Sequence, residues 1–297
     1  MSAADRAADR PVLVGGTGRS GSTIVGHILD HHPSLTLTRP MEVRFITGND
    51  GLADALRVAL EEPGSERSNA AARLAVARIH DRWFERAENV GLYTSLVRAE
   101  LTQLCESYLE DFESDALEAT RVLTKSIMFR VAASIGADRW VDTTPANARK
   151  ADRVEPIYPE SKVIIVNRDG RDVAASFVQQ SFGPDDVFAA LDQWEQRMLR
   201  IHKAVARSRP DRILQIDLVD LVTRDRIGTL ERVCAAIDVP LDAQMVEWFD
   251  ENVTAHAAHG GRWRQDFDQK TCDRLDEVYA DMCGRLSTAG VRIPPSG

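Results

Sequence analysis

The chain has 297 residues, 43% of them hydrophobic, enough for one large core or at most two modest ones. A formal net charge of −9 argues against a general nucleic-acid or anionic-membrane surface, because phosphate backbones reward clustered positive charge, so any anion site must be local. Lysine occurs only at Lys125, Lys150, Lys162, Lys203 and Lys270, so anion recognition must lean on guanidinium forks.

The N-terminal stretch MSAADRAADR is polar and charged with no apolar segment behind it, and no run elsewhere approaches the roughly 18 apolar residues of a membrane span. A cytoplasmic chain is expected. Pro11–Gly15 (PVLVG) is predicted as a strand that enters the glycine-rich segment Gly16–Thr23 (GTGRSGST). Over Ser20–His31, Ile24, Val25, Ile28 and Leu29 repeat at helical spacing, with His31-His32 expected at the helix C-terminus. Leu35–Thr38 alternates like a second short strand and runs into Arg39-Pro40-Met41-Glu42.

From about Asp50 to Glu118 the apolar positions recur at near-helical steps, through Leu52, Leu56, Leu60, Leu74, Ile79, Trp83, Leu101, Leu104 and Leu109. This predicts a helical insertion, 50–118, within a single domain spanning 1–297. Trp140-Val141 leads into Asp142-Thr143-Thr144-Pro145. Lys162–Asn167 (KVIIVN) is the clearest strand, continuous and β-branched as buried parallel strands are. Helices are predicted over Gly170–Ser181 and Val187–Ala206, a strand over Arg212–Ile216, and helices near Arg224–Ile237, Ala243–Asn252 and Gln269–Leu286, the last preceded by a loop, His256–Arg264. The alternation predicts an α/β fold, a doubly wound, mostly parallel sheet flanked by helices, and with the glycine-rich loop after the first strand the expected class is P-loop-type. Trp83, Trp194 and Trp248 sit in helical patterns and are expected in the core. Cys105, Cys234, Cys272 and Cys283 are far apart with no CxxC spacing, a pattern of reduced thiols.

Gly16–Thr23 follows a strand and opens a helix, where backbone N–H groups and the helix N-terminus converge on an anion. Two fingerprints fit it. Gly16, Gly18 and Gly21 have dinucleotide spacing, and Gly16, Gly21 and Thr23 have that of a P-loop whose lysine has become Ser22. A nucleoside triphosphatase needs that lysine for the β and γ phosphates and an aspartate ending a later strand for magnesium. KVIIVN runs instead into Arg168, which favours an anion neutralised by Arg19 and Arg168 without a metal. An NADP-dependent oxidoreductase keeps some support from Glu42, about 20 residues past the loop, where a ribose-binding acid sits. A non-catalytic nucleotide-binding protein is a third reading.

Asn167–Phe177 (NRDGRDVAASF) again runs strand, turn, helix. With the helix starting near Gly170, Val173, Ser176 and Phe177 share one face, and Arg168 and Ser176 can grip one phosphate together.

Together these segments resemble the sulfotransferases that use 3′-phosphoadenosine 5′-phosphosulfate (PAPS). The resemblance covers Pro11–Arg44, Arg139–Phe177 and, more loosely, Arg212–Trp263, but not the helical insertion. Arg19-Ser20-Gly21-Ser22-Thr23 is similar to the PRSGTT loop of bacterial and tyrosylprotein sulfotransferases. The resemblance implies that Gly18, Arg19, Ser20, Gly21, Ser22 and Thr23 hold the 5′-phosphosulfate and that Arg168 and Ser176 hold the 3′-phosphate. It also implies that Arg262, within Gly261-Arg262-Trp263-Arg264, reaches the 3′-phosphate from a late loop closing over the donor.

On the same grounds Glu42 occupies the position of the catalytic glutamate, with Arg19 on the departing phosphate. The competing reading of Glu42 is a structural ion pair with Arg39 or Arg44. The implied product is adenosine 3′,5′-bisphosphate, with no metal, and the acceptor is a hydroxyl of a small metabolite, glycan or lipid whose pocket the insertion shapes. Related enzymes carry a lysine before the proline, where this chain has Thr143-Thr144-Pro145. Lys125 is a candidate substitute, and Thr144 and Asn147 are candidates for contact with donor or acceptor. His256 and His259, three apart, lie beside Gly260-Gly261.

Overall fold

A computed structural model of the chain describes residues 9–39, 41–88, 90–254 and 260–296. The five strands are β1 (Val12–Gly16), β2 (Thr36–Leu37), β3 (Trp140–Asp142), β4 (Lys162–Asn167) and β5 (Ile213–Asp217). They form one sheet in the order β2-β3-β1-β4-β5, with every pairing parallel. β1 is wholly buried and β4 nearly so, as strands with helices on both faces must be. In a dinucleotide fold the second strand lies beside the first; here β3 separates them, which is the P-loop-type order.

Helices cover the sheet in chain order. α1 (Ser22–Asp30) follows β1, and its C-cap residue His31 stacks on Trp248 with ring centroids 4.3 Å apart. Between β2 and β3 run α2 (Arg44–Thr47), α3 (Leu52–Glu61), α4 (Glu66–Arg78), α5 (Arg98–Phe112) and α6 (Ala116–Ser134). Ser65 accepts the Ser68 N–H at the start of α4, and Asp115 accepts the Glu118 N–H at the start of α6. The helical stretch therefore runs past residue 118 to Ser134, because Leu123, Ile127 and Val131 continue its buried stripe.

α7 (Ala146–Arg149) and α8 (Ala151–Val154) follow β3, and α9 (Gly170–Val178) and α10 (Val187–Arg207) follow β4. After β5 come α11 (Arg226–Ala236), α12 (Ala243–Asn252), α13 (Trp263–Asp266) and α14 (Gln269–Thr288).

Successive residues of a strand face opposite ways, and β1 divides its side chains accordingly. Leu13 joins a core with Leu52, Leu101, Leu123 and Trp140, so α3, α5 and α6 share their apolar interior with the sheet. Val12 and Val14 join the opposite core with Leu29, Ile216, Leu230 and Phe249. A third cluster, around Trp194, Phe177 and Leu275, packs α9, α10 and α14 together. The four cysteines are free thiols, and no helix among the described residues is long and apolar enough to cross a membrane.

The pairing of Gly16 with Val166 and of Asn167 with Asp217 brings the carboxyl ends of β1, β4 and β5 to one edge. From there α1 leads toward β2 on one side and α9 and α10 lead toward β5 on the other. The reversal of direction between β1 and β4 opens a crevice, the place where α/β sheets bind ligands.

Candidate active site

The loop leaving β1 turns through left-handed backbone at Gly18 (φ 83°), Arg19 (φ 55°) and Gly21 (φ 100°). A Cβ at Gly18 would stand 3.0 Å from the Phe177 ring and 3.3 Å from the Arg197 guanidinium, so both conformation and space ask for glycine there. Arg19 holds the same conformation at a cost, and the second motif supports it. The Arg168 guanidinium donates to the Arg19 carbonyl at 3.1 Å, and Arg19 Nε donates to Ser176 Oγ at 2.9 Å. Residues from two distant motifs thus meet at one point beside the N-terminus of α1.

They line a cleft of about 620 Å³. Gly18, Arg19, Gly21, Ser22, Thr23, Glu42, Arg168, Ser176 and Arg262 all border it. The side chain of Ser20 does not. It is fully buried, and its Oγ lies 2.2 Å from where a Cβ on Gly16 would stand, so it fills the space beneath the loop.

Glu42 also has left-handed backbone, φ 64°. Its neighbours fix it on both sides: the Val43 N–H donates to Asp142 Oδ1 at 2.7 Å, and Arg86 Nη1 donates to the carbonyls of Met41 at 3.1 Å and Glu42 at 3.3 Å. Of the two flanking arginines it is Arg44 that pairs with the Glu42 carboxylate, Nε to Oε2 at 2.7 Å with a second contact from Nη2. Arg39 turns to Asp30.

Asp142, at the end of β3, also accepts hydrogen bonds from Thr144 Oγ1 at 3.0 Å and Asn147 Nδ2 at 2.7 Å. Burial pushes its carboxyl up from the ordinary 3.8, against the pull of those hydrogen bonds. Thr144 borders the cleft, whereas Asn147 is buried behind it, bonded to Asp142 and to Thr47.

The late loop is docked on α9. Asp172 Oδ2 accepts the Gly261 N–H at 3.0 Å, and Asp266 accepts Gln179 Nε2 at 3.0 Å while also holding Arg262 Nε at 3.3 Å. Trp263 is buried beneath Arg171, whose guanidinium sits 4.7 Å above its ring. Together these contacts carry Arg262 to the cleft wall. His256 and His259 lie outside the described residues.

Lys125 is not in the cleft. It projects from α6 and pairs with Asp9 at 2.5 Å. Cationic side chains that carry no motif stand there instead: Arg149 on α7, Arg197 on α10, and Arg78 and Arg82 where α4 widens into a π turn, Ile79–Trp83. Arg197 Nη1 donates to the Thr17 carbonyl at 2.6 Å and its guanidinium lies 4.7 Å over Phe177. Burial and the neighbouring Arg197 and Arg200 bring the Arg149 pKa down to about 10. The arginines at 197 and 200, one turn apart, were the signal available in the sequence. Trp83, expected in the core, is half-buried and borders the cleft, and Phe182 stands at the rim 73% exposed. Trp194 is buried as expected, and Trp248 is half-buried against His31.

The result is a cleft walled by guanidinium groups, a helix N-terminus and the Glu42 carboxylate on its fixed turn, with Asp50, Asp172 and Asp266 also at its border. Residues 11–243 match the model of the sulfotransferase family. No curated protein matches the chain in sequence. Among solved structures the chain is similar to the Mycobacterium avium sulfotransferase STF9, with 16% identity over 96% of this chain and 78% of that one and a TM-score of 0.50. It is equally similar to the sulfotransferase domain of the Synechococcus PCC 7002 olefin synthase, with 17% identity over 96% of each chain and a TM-score of 0.50. At these identities the likeness concerns the fold. The family match spans both anion motifs and most of the sheet's flanking helices, and the chain belongs to the sulfotransferase family.

Proposed function

We propose that the protein transfers a sulfuryl group from PAPS to a hydroxyl of a small metabolite, glycan or lipid, without a metal ion. The observation that carries this reading is the meeting of Arg19, Arg168 and Ser176 at the mouth of α1, in the cleft that Glu42 also borders. The donor set suits a substrate with phosphate at two ends. Arg19, Arg168 and Ser176 stand together with the loop's backbone N–H groups at the mouth of α1, and Arg262 borders the same cleft from the late loop.

The donor supplies an activated sulfuryl group: as the acceptor oxygen–sulfur bond forms, the bridging sulfur–oxygen bond breaks and its electron pair leaves on the phosphate of adenosine 3′,5′-bisphosphate. Glu42 takes the acceptor proton, and Arg44 with the Met41–Val43 turn keeps its carboxylate aimed. Arg19 and the loop N–H groups hold the charge gathering on the departing phosphate, a contribution of about 2.7–4 kcal/mol per donor. Arg149 and Arg197 serve where Thr143-Thr144 offers no lysine. Asp50, Arg78, Arg82 and Trp83, which border the cleft, let the 50–118 segment shape the acceptor pocket.

The test is a screen of labelled PAPS against cell extracts with mass detection of the added sulfonate, preceded by thermal-shift titration with adenosine 3′,5′-bisphosphate and, for contrast, NADP. Stabilisation by the bisphosphate with sulfated product supports the reading. Stabilisation by NADP alone, or by neither, sinks it.

A further inference from the structure

Beside the active-site cleft lies a second cavity of about 600 Å³. Asn49, Asp50 and Arg149 border both, so the two are adjoining compartments with Arg149 in the shared wall. The second wall is α10. Arg197 borders the first compartment, and Arg200, Lys203 and Arg207 border the second. Steps of three and four residues place these four on one helix face, a stripe about 15 Å long at 1.5 Å per residue.

The acids nearby are already engaged. Asp54 holds Lys150 at 2.7 Å and Arg153 at 2.5 Å, Asp50 holds Arg78 at 3.1 Å, and Asp152 lies 3.8 Å from Arg207. Among the described residues Arg149, Arg200 and Lys203 have no carboxylate within 4.0 Å. Burial, and after it like charge at Arg197 and Arg200, lowers the Arg149 pKa against the pull of Asp54. Uncompensated cations gathered in a concave wall, on a chain of net charge −9, cost stability in the empty protein and are relieved by an anion.

We propose that this second compartment is a subsite for the acceptor, which carries an oxyanion group, phosphate or carboxylate, seated among Arg149, Arg200 and Lys203 while its hydroxyl lies beside Glu42. The proposal rests on the sulfotransferase reading and adds the charge class of the acceptor to it.

Inorganic pyrophosphate is the probe, titrated calorimetrically into the full chain already saturated with adenosine 3′,5′-bisphosphate, so that the donor loop is occupied. One-site binding is expected, weakened about tenfold in an Arg200→Ala, Lys203→Ala double variant and weakened again by added salt. Both side chains are exposed, so the variant keeps its core. Absence of binding, or equal affinity in the double variant, overturns the proposal. In the labelled-donor screen, extracts are first split on an anion exchanger. Acceptor activity in the retained fraction, with KM raised about tenfold and kcat held in the double variant, supports it, and activity confined to the unretained fraction overturns it. Failure of the bisphosphate to bind is a separate result that sinks the sulfotransferase reading, since the double variant leaves the donor loop untouched.

Discussion

Glu42 shows how much structure one carboxylate requires. Its backbone is left-handed, its turn is tied to Asp142 and Arg86, and its carboxylate is oriented by Arg44. A Glu42→Gln variant should lose about 10²–10⁴-fold in kcat, the usual worth of a general base, with bisphosphate binding unchanged. Full turnover in a folded variant would remove Glu42 from the mechanism. Asp142 has a different signature. Because burial raises its carboxyl pKa, the folded protein holds a proton that the unfolded chain releases above 3.8, and stability falls as pH climbs from there through the folded value. Urea unfolding at a series of pH values rising from about 4 should therefore show the wild type losing stability relative to Asp142→Asn, which cannot titrate. A pH-independent difference would mean that folding leaves this carboxyl unperturbed. Arg19, Arg168 and Ser176 were legible because each sits at a fixed offset from a strand end. The fate of Ser20 was not, since whether a loop side chain faces ligand or interior depends on the space left by Gly16.

At the level of elements, the close approach of α1 to the sheet is set by Gly26, where a Cβ would come 2.3 Å from Thr143 Cγ2. Helix propensity alone favours alanine there by about 1 kcal/mol. Overpacking outweighs it, and Gly26→Ala should lower unfolding stability by about 1–3 kcal/mol in chemical denaturation. A stabilised variant would show that the sheet yields more readily than its packing suggests. Strand, loop and helix at both anion motifs were readable because β1 and β4 are continuous apolar runs and the glycines punctuate them. Arg149, Arg82 and Trp83 were hidden for the opposite reason, and Arg197 offered only its spacing to Arg200. They lie in helices whose periodicity reports which face is buried, and says nothing of which other helix or strand end that face meets. The helical stretch outran residue 118 because Leu123, Ile127 and Val131, four residues apart, give α6 a buried stripe of its own.

For the whole molecule, positive charge is concentrated where the sheet's strands end, while the net charge is −9. Ligand binding to the folded state alone stabilises by about 2.7 kcal/mol at a hundredfold excess over Kd, so saturating bisphosphate should raise Tm by about 5 °C. That gain should shrink with added salt as guanidinium–phosphate attraction is screened. A salt-independent shift would point to stacking or apolar contacts instead. The pairing of Gly16 with Val166 has a kinetic consequence as well. Neither anion motif is complete until two segments far apart in the chain have closed side by side, and parallel, non-local pairing of this kind forms slowly. During refolding, the appearance of bisphosphate affinity thus marks the moment at which β1 and β4 zip together, making the ligand a clock for a long-range contact at the centre of the sheet.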